Sequence, residues 1–239
     1  MRFFDRLRSR FRRYPDPTDA AAVRRMTTEQ WRGIAQRTPT YLAGYRDRPG
    51  SEDRAQRRAE WIAPTVGSGP WGLWPTSVIL ELGCGAGRNL AALHREQDRW
   101  RLLGIDICPE AVRYAQDTLT PWAHVLCVDV LAVDVLPRVD VILTCGFLGH
   151  VPPAFLPALL QRMLDAATAR LVLVEEPGRG ELSKGPRAWG AEKDTGPYAL
   201  WRHPFDDVLA SLQRTARHVS LPEDLRAPAA TEMLVVERA

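Results

Sequence analysis

At 239 residues, with 45% hydrophobic and 26% charged side chains, the chain has the length and apolar content for one large domain with a sizeable core. No apolar run approaches the roughly 18 to 20 residues needed to cross a bilayer, and no apolar stretch or small-residue cleavage site follows the arginine-rich start, which argues against a transmembrane helix and a secretory leader. The net charge of +3 is uneven: residues 1–60 hold fifteen arginines against eight acidic residues, so the remainder is slightly acidic, a pattern that fits a nucleic-acid or membrane partner or simply a well-solvated helical surface.

Residues 2–14 read as a short basic amphipathic helix. At about 100° per residue, Phe3, Phe4, Leu7, Phe11 and Tyr14 share one face and Arg2, Arg6, Arg12 and Arg13 the other. Pro15 and Pro17 end it. A second helix is predicted from Thr18 or Asp19, and further helical segments lie between Gln30 and Ala63, broken at Pro39 and Pro49. Residues 67–75 read as a linker rich in Gly, Pro and Trp. From Ser77 the pattern changes. Strands are predicted at 78–82, 102–105, 123–128, 139–144 and 171–174, with helices at 89–96, 109–119 and 153–169 between them. The strands are continuous apolar runs, as expected when both faces are buried, and strand–helix alternation implies right-handed crossovers and a parallel sheet. The tail reads as a helix at 204–216, then strands at 218–221 and 233–236 that suggest a hairpin at the sheet edge. Cys84, Cys108, Cys127 and Cys145 each lie in or beside a predicted strand and form no C-x-x-C pair. That favours reduced thiols and a cytoplasmic setting over disulfides, and no metal site is expected.

The strongest chemical signal is the run from Val78 to Asn89, in which a buried strand meets Gly83, Gly85 and Gly87 and a helix follows. Glycines there allow a sharp turn and close approach of a ligand to the backbone, and the helix start offers free N–H groups. The third glycine comes two residues after the second, where a dinucleotide fingerprint has three, and Glu81 stands two residues before the first. A carboxylate repels a pyrophosphate but suits a ligand carrying an ammonium and a sulfonium. Asp106 and Asp129 end the next two strands. An acid at the first place can accept hydrogen bonds from ribose hydroxyls, and one at the second from an adenine amino group. The competing reading is that these acids only cap helices.

On these residues the sequence resembles the class I S-adenosylmethionine-dependent methyltransferases of small-molecule type. Glu81-Leu-Gly-Cys-Gly-Ala-Gly87 matches the first motif of that family, Leu103-Gly-Ile-Asp106 the second acidic position and Cys127-Val-Asp129 the third. The resemblance implies an α/β fold: a Rossmann-like three-layer sandwich with a seven-stranded, mostly parallel sheet whose last strand is antiparallel. It places an N-terminal helical cap at 1–70 and the cofactor-binding core at 71–239. It also implies that Glu81, Gly83, Cys84, Gly85, Gly87, Asn89, Asp106, Ile107, Asp129, Val130 and Cys145 hold S-adenosylmethionine, with S-adenosylhomocysteine as product.

The segment from Thr144 to Pro153 is similar to the G-x-L-x-H-x-x-P stretch of small-molecule relatives and lacks the Asp/Asn-Pro-Pro-Tyr/Phe tetrad of enzymes that methylate base amines, which argues against a nucleic-acid acceptor. On this resemblance His150 lies above the transferred methyl and could take a proton from a hydroxyl or ammonium, or it could pack on the adenosine side. Trp31, Tyr41, Glu175, Tyr198, Trp201 and Arg202 are candidates for the acceptor pocket, the last three within a long Gly- and Pro-containing loop at 177–203 that is expected to form a lid or wall. The expected reaction is methyl transfer to an O or N atom of a small-molecule acceptor. The alternatives are an RNA or protein methyltransferase, or a non-catalytic module associated with a membrane through helix 2–14. Oligomeric state is not readable from the sequence.

Overall fold

The computed structural model describes residues 19–33, 51–67, 73–179, 182–184, 200–227 and 229–238. The helix expected at 2–14, the breaks at Pro39 and Pro49, and Tyr41 and Tyr198 lie outside them. Helix α1 (Ala20–Arg32) begins where the sequence places it, because the Asp19 side chain accepts the N–H of Ala22 at 2.9 Å and satisfies one of the free donors of the first turn. Helix α2 (Ser51–Gly67) runs through Pro64 and takes in the first residue of the predicted linker.

The core alternates as expected: β1 (Val78–Leu82), α3 (Arg88–Glu96), β2 (Arg101–Asp106), α4 (Pro109–Leu119), β3 (Ala123–Cys127), β4 (Val139–Cys145), α5 (Leu156–Ala166) and β5 (Ala167–Glu175). A two-stranded antiparallel sheet, β6 (Leu182–Lys184) with β7 (Leu200–Trp201), lies within the long loop. Then come α6 (Phe205–Ser211), β8 (Arg217–Ser220) and β9 (Glu232–Glu237). The seven-stranded sheet has the order β3-β2-β1-β4-β5-β9-β8. Strands β1 to β5 pair in parallel, and β9 inserts antiparallel between β5 and β8. The late hairpin is therefore real, with only β8 at the edge.

Successive strand residues feed two cores on opposite faces of the sheet. Ile79, Val141, Val172 and Val174 pack with Ile62 of α2, Leu90 and Leu93 of α3 and Val112 of α4. Leu80, Ile142, Leu171 and Leu173 pack with Leu156, Leu160 and Met163 of α5 and Phe205 and Leu209 of α6. This is the alternation of a strand buried on both faces. Helix α2 falls before the boundary expected at residue 70, yet its Ala59, Ile62, Ala63 and Val66 belong to the first of these cores.

Two predicted helices are too long. The one expected at 153–169 is a 3₁₀ turn at Pro153–Phe155 followed by α5, and residues 167–169 already belong to β5. The one expected at 204–216 stops at Ser211, where Gln213 turns to φ 57° and the N–H of Arg214 closes on the carbonyl of Leu209.

Candidate active site

The carboxyl ends of β1 to β5 carry most of the described candidate residues, the usual place for a ligand crevice in an open parallel sheet. Behind β1 the backbone turns at Gly83 and Gly87, with φ of 70° and 80°. A side chain at Gly83 would place its Cβ 2.5 Å from the ring of Phe147, and one at Gly87 would strike Leu119. Both glycines are thus required by conformation and by close approach. Gly87 also takes the N-cap position of α3, whose first turn carries no side-chain cap.

Glu81 is buried at the end of β1, 1% exposed. Its Oε1 accepts the Asn89 side-chain amide at 2.6 Å, while Oε2 is buried without a hydrogen-bond partner. Burial, more than the nearby Asp106 carboxylate, pushes its pKa up to about 8. Asp106 accepts the N–H of Gly85 through Oδ2 and that of Cys108 through Oδ1, both at 2.8 Å. The N–H of Ile107 also bonds this carboxylate, which leaves acceptor capacity for a further donor. Burial raises its pKa too, against the lowering effect of those bonds. Ile107 follows, half-buried. Asp129 caps the 3₁₀ turn Val130–Ala132 through the N–H of Leu131 at 3.0 Å, and its other oxygen lies 3.5 Å from the Arg24 guanidinium. Val130 is buried beneath it.

Helix α1 crosses this end of the sheet. Arg24 also lies over the ring of Phe155 at 5.4 Å. Trp31 meets His150 edge-on, with ring centroids 4.6 Å apart. His150 closes the 3₁₀ turn Leu148–His150 that follows β4.

Cys84 is buried in the first core, burial holds its pKa well above the ordinary value, and its N–H is tied to the Ile105 carbonyl at 3.1 Å. Glu175 does not face an acceptor. It is 1% exposed, and its carboxylate accepts the N–H groups of Phe147, Leu148 and Gly149, because the loop after β4 folds directly over the end of β5. Trp201 is buried against Val23 of α1. Arg202 turns to Glu176, 2.7 Å away. Cys145 sits half-buried near Glu81 and Glu175, its thiol pushed up to about 11 by burial.

Arg24, Phe147 and Phe155 lie at this end of the sheet and were not singled out in the sequence reading; His203, the last residue of the long loop, meets the Leu148 carbonyl at 2.9 Å. All four cysteines are free, and among the described residues no cluster of metal-ligating side chains is found and no helix is long and apolar enough to cross a membrane.

Residues 79–169 match the model of a family described as a methyltransferase domain. No curated protein is similar enough to match. Solved structures give the fold. Magnesium protoporphyrin IX methyltransferase from Synechocystis PCC 6803, with bound S-adenosylmethionine, is 16% identical at a TM-score of 0.66, over 89% of this chain and 97% of that one. The 1,6-didemethyltoxoflavin N1-methyltransferase of Burkholderia thailandensis, holding its acceptor and S-adenosylhomocysteine, is 22% identical at 0.58, over 94% and 91%. Mitomycin 7-O-methyltransferase is 16% identical at 0.56, over 94% and 74%. The fold is the Rossmann-like one expected, shared with these solved methyltransferases, and residues 79–169 match a methyltransferase domain.

Proposed function

We propose that this methyltransferase domain uses S-adenosylmethionine to methylate an oxygen or nitrogen atom of a small-molecule acceptor. The observation that carries the cofactor is Glu81. An acid with one oxygen buried and without a hydrogen-bond partner, beside a glycine turn, suits a cationic ligand. The ammonium of a methionine moiety has the charge and the donors to complete it. Asp106 has spare acceptor capacity for ribose hydroxyls, and Asp129 with Val130 would border the adenine. The acceptor class is supported by relatives of the same fold whose names specify small molecules.

When bound, the cofactor supplies a methyl group already activated on a sulfonium. The chain's part is to hold, orient and exclude water. Glu81 and the glycine turn would hold one end, Asp106 the middle and Asp129 the other. Phe147 packs on Gly83, and the α1 residues Arg24 and Trp31 close the crevice from above. Orientation of this kind supplies much of the acceleration in a displacement. His150 would take the proton of a hydroxyl or ammonium acceptor at its imidazole.

The test is calorimetric titration with S-adenosylhomocysteine, followed by transfer of labelled methyl from S-adenosylmethionine to a panel of small hydroxy and amino acceptors. Micromolar affinity, about −8 kcal/mol, is expected. Asp106→Ala should weaken binding by roughly 2 to 4 kcal/mol through loss of charge-assisted hydrogen bonds. No heat with the intact protein would overturn the reading.

A further inference from the structure

The loop after β4 is gripped from two sides by buried titratable groups that the proposed reaction does not itself use. From β5, Glu175 accepts three successive backbone N–H groups: Phe147 and Leu148 at 3.1 Å through Oε1, and Gly149 at 3.4 Å through Oε2. From the segment before α6, His203 sets Nε2 against the Leu148 carbonyl at 2.9 Å. A carbonyl only accepts, so Nε2 carries the proton. Leu148 is thereby held through both its N–H and its C=O. Burying a carboxylate and an imidazole is costly, and apolar residues of similar volume would pack this face at least as well. Glu175 is 1% exposed and His203 fully buried, each beside an otherwise apolar core. Burial pushes Glu175 up to about 7 and His203 below its ordinary value. On one side of Leu148 is Phe147, whose ring lies on Gly83, and two residues on the other is His150, whose ring meets Trp31.

We propose that Glu175 and His203 act together as a positioning pair that sets the direction of the His150 imidazole toward the acceptor. The proposal rests on the reading of His150 as the acceptor-side base. Glu175 fixes the peptide planes before and after Leu148 by their donors, and His203 fixes the same residue by its acceptor. Two independent anchors leave the turn that ends at His150 one orientation.

The chain has five histidines, so a His150→Gln spectrum assigns the His150 ring proton by nuclear magnetic resonance. That proton feels the ring current of Trp31, which depends on distance and angle. In His203→Leu, which removes the donor, the His150 resonance should move, while those of His94, His124 and His218 stay in place. His203→Gln, which keeps a donor at similar reach, should restore it. Glu175→Gln, which retains an acceptor for Phe147 and Leu148 but turns an NH₂ toward Gly149, should move it in a protein that still folds. S-adenosylhomocysteine affinity should be unchanged in the two His203 variants. A His150 resonance that stays fixed in a folded His203→Leu and Glu175→Gln overturns the pair. So does a common shift of every histidine, which would reduce it to fold support. Failure of the unmodified protein to bind S-adenosylhomocysteine would instead overturn the reading beneath the proposal.

Discussion

At the residue scale, the proposed role of Glu81 predicts that cofactor uptake releases a proton. With its pKa raised to about 8, the carboxyl is mostly protonated at pH 6. An ammonium-bearing ligand binds the ionised form, so each molecule bound should expel about one proton at pH 6 and fewer as the pH approaches 8. Apparent affinity should climb with pH over that range, by at most about tenfold per unit. Calorimetry of S-adenosylhomocysteine in buffers of different ionisation enthalpy measures the release directly. Glu81→Gln should abolish it. A buffer-independent enthalpy with the unmodified protein would show that Glu81 does not change its protonation on binding. The same residue shows what a sequence can and cannot reveal. An acid two residues before a glycine turn is conspicuous. An acid at the end of β5 is just as visible, but whether it meets a ligand or a neighbouring loop depends on how the chain after β4 folds back. Glu175 was therefore legible as a strand-end acid and not as an anchor.

At the element scale, the contacts of α1 with this end of the sheet are individually modest. Arg24 is partly exposed, and a partly exposed ion pair contributes little to stability, about 0 to 1 kcal/mol. Arg24→Ala should leave folding intact and speed S-adenosylhomocysteine dissociation by up to about fivefold, the kinetic equivalent of that range. Stopped-flow chasing of bound ligand measures it, and an unchanged off-rate would show that α1 does not guard the adenine end. The strands were legible because burial on both faces leaves continuous apolar runs. The start of α1 was legible because Asp19 is a strong cap. The end of α5 was not: Ala166 and Ala167 carry no stop signal, and no glycine or proline separates helix from strand. The partners of α1 were hidden for a different reason. Arg24 and Asp129 lie more than a hundred positions apart, and nothing local in either announces the other.

At the scale of the whole molecule, the buried acids bias the ligand-free fold toward lower pH. Glu81, Asp106 and Glu175 all have folded pKa values raised, chiefly by burial, to about 8 and about 7 for the first and last. Their stabilising contribution is full below the ordinary carboxyl range and is lost as pH rises through those folded values. His218 acts in the same sense: partial burial pulls its pKa down, but Asp206 at 2.8 Å and Glu232 at 3.1 Å push it up overall. His203, lowered by burial, opposes them only as pH falls below the ordinary histidine range. Thermal unfolding of the ligand-free protein should therefore show Tm falling between about pH 5.5 and 8.5. Saturating S-adenosylhomocysteine should flatten the slope, since it favours ionised Glu81. A Tm that rises over this range would mean that Glu81 and Glu175 are already ionised in the folded protein.

The direct passage from α5 into β5 has a consequence for how this chain can vary in length. No residue intervenes between Ala166 and Ala167, so the junction has no slack. One added residue must either rotate α5 by about 100° against the sheet or slip β5 by one position. A slip exchanges the two faces of the strand: Leu171 and Leu173 would trade places with Val172 and Val174, and Glu175 would point away from the turn that it holds. Insertions are tolerated where loops can bulge into solvent. Here a single extra codon would disconnect the anchor of the His150 loop while leaving every residue of the glycine turn in place.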